Sequence, residues 1–163
     1  MAGLITSLQF RNAQGSGSYD FTKRRASIKK WDPNVASRTS GVARPKLQTH
    51  GEHGVWPVYG ALIIDHEGLL VAEDTPPTQA GVMAERDELL AAILGDLTVP
   101  PVNEVLGQLS VLYAGWPSPA VGDVILDSYS LPVTSSDVTT LSYMFSWRSI
   151  TPYFLRSTTP VYL

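Results

Sequence analysis

The stretch Val138-Thr139-Thr140-Leu141-Ser142-Tyr143-Met144-Phe145-Ser146-Trp147 decides the fold class. Leu141, Tyr143, Phe145 and Trp147 alternate with Thr140, Ser142, Met144 and Ser146. A period of two puts one set on the buried face of a β-strand and the other on its exposed face. Working backwards, Asp123-Val124-Ile125-Leu126-Asp127-Ser128-Tyr129 and Gln108-Leu109-Ser110-Val111-Leu112-Tyr113 read as two more strands, separated by the turn Trp116-Pro117-Ser118-Pro119. Residues 61–73 read as a hairpin, with His66-Glu67-Gly68 as the turn and Gly68 supplying a positive φ. At the start, Leu4, Leu8 and Phe10 share one face of a strand over residues 4–10.

One segment has a different period. After the stop Thr75-Pro76-Pro77-Thr78, residues 79–94 place Val82, Met83, Leu89, Leu90 and Ile93 on one stripe. Glu85, Asp87 and Glu88 are expected to face outward, Thr78 to cap the N-terminus and Gly95 the C-terminus. Strands on both sides of a lone helix predict a mainly β fold, an antiparallel β-sandwich with one flanking α-helix at 79–94. Residues 32–45 are small and polar, with Pro33, Gly41 and Pro45 as breakers, and read as a long exposed loop.

The chain has 163 residues, 44% of them apolar and 17% charged, which suits a single domain over 1–163 with its own core. It contains no Cys, so disulfides, thiolate metal sites and cysteine catalysis are excluded. No apolar run approaches the ~20 residues that span a bilayer, and no membrane partner is expected. Nor does Met1-Ala2-Gly3-Leu4 have the basic and apolar regions of a signal peptide. The expectation is a chain made in the cytoplasm that stays there unless it leaves in an assembly.

Net charge is −3, but it is unevenly placed. Residues 1–50 hold nine basic side chains against two carboxylates, and residues 51–163 hold three against thirteen, giving +7 and −10. Either the basic part meets a polyanion or acidic surface, or the two parts interleave in the fold and neutralise each other locally. Five of the nine basic side chains of residues 1–50 lie in Lys23-Arg24-Arg25-Ala26-Ser27-Ile28-Lys29-Lys30-Trp31. Lys and Arg with a terminal aromatic suit nucleic acid. A strand, however, divides these charges between two faces, which favours an exposed or interface strand over a sequence-specific nucleic-acid site.

Chemistry-bearing motifs are few. His50-Gly51-Glu52-His53-Gly54 has metal-ligand residue types, but the glycines forbid the helix that two zinc-binding His residues four apart require. A glycine turn is the favoured reading, with no metal. No Gly-x-Ser-x-Gly elbow, phosphate loop or paired carboxylates appear, so no catalytic residue and no cofactor is assigned and an enzyme is not expected. Trp56, Trp116 and Trp147 keep a carbohydrate-binding sandwich as an alternative.

Three stretches resemble the N-terminal β-sandwich domain of distal tail proteins of long-tailed bacteriophages. They are Ile5-Thr6-Ser7-Leu8-Gln9-Phe10, the glycine-flanked His50-Gly51-Glu52-His53-Gly54, and the closing Phe145-Ser146-Trp147-Arg148-Ser149-Ile150-Thr151-Pro152-Tyr153. The resemblance implies a virion structural protein without cofactors. Such a protein forms a ring, expected to be a hexamer, that joins the tail tube to the tail-tip or baseplate hub. Its expected partners are the tail tube protein and the hub protein, and its expected location is the virion tail, assembled in the host bacterial cytoplasm. A tail-tube or tail-completion protein is the nearest alternative. A head-to-tail ring needs two different complementary patches on each subunit. Lys23, Arg24, Arg25, Lys29 and Lys30 are the basic candidates, and Glu85, Asp87 and Glu88 of a neighbouring subunit the acidic ones.

Overall fold

The computed structural model describes residues 4–13, 17–23, 27–38, 58–95, 106–133, 139–149 and 151–163. In chain order the elements are β1 (Ile5–Asn12), β2 (Ser18–Asp20), β3 (Ser27–Arg38), β4 (Val58–Val71) and α1 (Gln79–Leu94). They continue with β5 (Leu106–Tyr113), β6 (Ala120–Ser130), β7 (Thr140–Ser149), β8 (Phe154–Arg156) and β9 (Thr159–Val161). Among the described residues, nine strands form one antiparallel sheet with the path β2-β1-β5-β6-β7-β4-β3, and β8 joins β6 to β9.

That sheet curls until its two ends face each other. β1 and β7 are three steps apart along the path, about 14 Å in a flat sheet. Yet the rings of Phe10 and Trp147 stack with centroids 5.0 Å apart. Trp31 on β3 donates its indole N–H to the Tyr113 hydroxyl on β5 at 2.6 Å, across four steps. The result is a mainly β, sandwich-like core within one continuous sheet, flanked by α1, which packs on β1, β2, β4 and β7. Phe10, Phe21, Phe145, Trp147 and Phe154 are fully buried in it.

The alternation over β7 is as expected, with Leu141, Tyr143, Phe145 and Trp147 all buried. The ends of α1 also match. Thr78 Oγ1 accepts from the Gly81 N–H at 3.0 Å, and Gly95, at φ 68°, donates its N–H to Ala91 O. Close approaches dock the helix at its far end. Asn12 Nδ2 donates to Ile93 O at 3.1 Å, and a Cβ on Gly17 would lie 2.9 Å from the Ala92 Cα.

Four expectations are corrected. Residues 61–73 are not a hairpin: β4 runs unbroken through His66-Glu67-Gly68, and Gly68 pairs with both Ile28 and Tyr143. The inward positions Leu62, Ile64, His66, Gly68 and Leu70 keep strict alternation through the supposed turn. Residues 32–38 are not loop either, because they form the second half of β3, paired from Asp32 opposite Asp65 to Arg38 opposite Val58. Pro33 is tolerated because, among the described residues, β3 ends the sheet path, where a missing N–H breaks no ladder on the outer side. Residues 39–45 lie outside the described residues. Leu4 is 54% exposed and Ile5 buried instead, because a bulge between Ile5 and Ser7 shifts the register against β5. Finally, Glu85 does not face outward; it is 6% exposed.

Candidate interaction surface

The turn after β2 carries the first of the basic candidates. Asp20 Oδ1 accepts from the Thr22 N–H at 2.8 Å and from the Thr22 hydroxyl at 2.6 Å, while the Phe21 N–H donates to Leu8 O at 2.8 Å. With Phe21 anchored in the core, this Asx turn points Lys23 at α1. Lys23 Nζ lies 2.6 Å from Glu85, 3.2 Å from Glu88 and 3.9 Å from Glu73. It also sits 4.4 Å from the centre of the Tyr19 ring. The Tyr19 hydroxyl donates to the same Glu85 Oε1 that Lys23 holds.

Electrostatics follow from this packing. Burial works against the Lys23 ammonium, but its bonds to Glu85 and Glu88 outweigh that and hold its pKa above the ordinary lysine value. Burial first, and then the bond to Glu85, push the Tyr19 hydroxyl far up, so it stays protonated and keeps donating. Glu85 is therefore a buried carboxylate with an ammonium and a phenol as partners, the arrangement a buried charge requires.

The basic and acidic candidates thus meet within one chain. Lys23, Glu85 and Glu88 form one internal cluster, and Lys30 Nζ pairs with Glu67 at 3.4 Å across β3 and β4. Of the two readings of the charge asymmetry, local neutralisation holds for these groups. Lys29 is exposed on β3, and Asp87 is exposed beside Arg86 at 3.4 Å. Arg24 and Arg25 lie outside the described residues, as do His50, Glu52 and His53. Among the described residues, no group of three or more His, Asp or Glu converges as a metal site, and no helix is long and apolar enough to cross a membrane.

Sequence reasoning missed the apolar part of the surface. On the outer face of the sheet Met144 is 51% exposed, between Glu67 on β4 and Ser130 on β6. It helps line a groove of about 320 Å³ with Leu69, Pro132, Ser142 and Lys29. Toward the other end of β6, Leu155 on β8 pairs with Val121 and is 44% exposed, and Tyr162 just after β9 is 74% exposed. Met144 was legible as an outward residue of β7. That it flanks a groove depends on which strands neighbour β7.

Two of the tryptophans raised as sugar-stacking candidates are already engaged within the chain. Trp147 is fully buried, and Trp116 is held edge-on to Tyr113 at 4.8 Å with Arg156 5.4 Å from its ring. Trp56 lies outside the described residues. Taken together, the class is a mainly β protein with a curled antiparallel sheet, an internal charge cluster and apolar side chains on its outer face. No protein-family model and no curated protein matches the chain.

Proposed function

We propose that this protein is a structural component of a bacteriophage tail, forming a ring that joins the tail tube to the tail-tip hub. One observation carries the reading: exposed apolar side chains at two separate places, Met144 near one end of β6 and Leu155 with Tyr162 toward the other. A ring of identical subunits uses two different patches of one chain, because each subunit presents one patch forward and the other back. The sequence resemblance to distal tail proteins supplies the assembly in which such a ring works. The same features support a tail-tube ring, and the neighbouring proteins distinguish the two.

The test is electron microscopy with light scattering on the purified chain at tens of micromolar, alone and with tail-tube and hub proteins. Rings with a central hole, or recruitment of the chain onto a tail tube, are the expected result. A strict monomer that no tail protein recruits overturns the reading.

A further inference from the structure

His66, near the middle of β4, has no exposed surface and takes no part in the surface contacts above. Rings from three other parts of the chain enclose it: Phe21 at 4.6 Å between centroids, Trp31 at 5.6 Å, Tyr143 at 5.1 Å and Phe145 at 6.3 Å. Its Nε2 lies 3.1 Å from the Tyr143 hydroxyl, and its Nδ1 has no hydrogen-bond partner among the described residues. Among the described residues, no carboxylate bonds to it. Asp65 and Glu67 point to the opposite face of β4, and Glu85 on α1 is engaged by Tyr19 and Lys23. Among the described residues, the titratable groups on its side are Tyr143, which touches it, and Tyr19, Tyr113 and Tyr129, which lie beyond Phe21, Trp31 and Phe145. Burial raises the pKa of the Tyr143, Tyr19 and Tyr113 phenols, so none of these three becomes an anion for an imidazolium.

Its place in the fold matters as much as its chemistry. Phe21 follows β2 at one end of the sheet path, while His66 and Tyr143 belong to β4 and β7 toward the other end. The His66 ring therefore sits in the seam where the curled sheet closes on itself. We propose that His66 is an acid-operated latch on this seam: protonation releases β2 and α1 from β4 and β7 while the β5–β6–β7 ladder stays paired. Attraction of an imidazolium to ring faces is much smaller than the penalty of burying it without an anion.

Burial lowers the His66 pKa from 6.5 to about 3, so the opened form takes up the proton first. Stability from the neutral ring is complete above about pH 6.5 and is lost as pH falls toward 3.

The experiment is residue-resolved amide hydrogen exchange on the full chain between pH 7 and pH 3, corrected for intrinsic rates, for the native protein and His66→Phe. In the native protein, β2 and α1 are expected to lose protection at least tenfold before β5 and β6 do. In His66→Phe that loss moves at least one pH unit lower. An unchanged acid profile in the variant, or simultaneous loss in all strands of the native protein, overturns the latch. If the variant does not fold, histidine-selective NMR of the native protein decides. A His66 ring that stays neutral in the closed form down to pH 5 supports the latch, and one that titrates near its ordinary value with the fold intact overturns it.

Discussion

Lys23 Nζ lies 2.6 Å from Glu85 Oε1, joining the turn after β2 to the middle of α1, and the Tyr19 hydroxyl donates to the same oxygen. A basic residue that reads as an intersubunit contact is thus one side of an internal clasp. Glu85 is buried, and Lys23 retains 21% exposure, so the two ends of the pair differ in what their loss does. Removing Lys23 leaves a buried carboxylate short of a cation, whereas removing Glu85 leaves an ammonium that can turn toward Glu88 and water.

Lys23→Met is therefore expected to destabilise the chain by about 1–3 kcal/mol, the cost of leaving a buried partner unsatisfied. Lys23→Met with Glu85→Leu is expected to cost less than the sum of the single changes, since the pair is then replaced by apolar groups. Urea unfolding of the two singles and the double measures the coupling. Additivity within about 0.5 kcal/mol shows that the clasp does not couple the two residues.

Reversal of Arg24 and Arg25 to Glu tests the remaining basic candidates. The double variant is expected to fold normally but assemble more slowly, with an effect that shrinks as salt shortens the reach of surface charge to a few ångströms. Light scattering across a salt series reads this out. Assembly intact but DNA affinity lost, with a steep salt slope, assigns the segment to nucleic acid instead.

Met144→Asp and Tyr162→Asp change exposed side chains, so each is expected to alter stability by no more than about 1 kcal/mol, the larger effect at Met144, which stands opposite Glu67. Each is nevertheless expected to abolish ring formation, because a charge then sits in an apolar contact. Circular dichroism melts checked beside electron microscopy separate the two effects. Rings formed normally by both variants place the subunit contacts elsewhere.

Gly122 on β6 tests the core. A Cβ there would lie 2.2 Å from the ring of the fully buried Phe154, which holds β8 against β6. Gly122→Val is expected to destabilise by about 1–3 kcal/mol through overpacking. Across a domain of this size that lowers Tm by several degrees, read by calorimetry. An unchanged Tm means that Phe154 is free to leave its site.

Thr78→Ala removes the oxygen that accepts from the Gly81 N–H. Loss of this N-cap is expected to cost about 1 kcal/mol, seen as a lower urea midpoint with unchanged slope.

The elements whose evidence is local were legible in the chain itself. Leu141, Tyr143, Phe145 and Trp147 declare β7 by period alone, and α1 begins at a capping Thr78 and ends at Gly95 because caps act within one turn. Tertiary structure decided whatever depends on residues far apart. His66-Glu67-Gly68 has the composition of a turn, but pairing with both β3 and β7 holds it extended, and long-range hydrogen bonds outweigh turn preference. Pro33 looks like a breaker until β3 proves to be an edge. Glu85 looks like surface until Tyr19 and Lys23, more than sixty residues away, close over it, and a carboxylate is buried only where the fold brings partners to it.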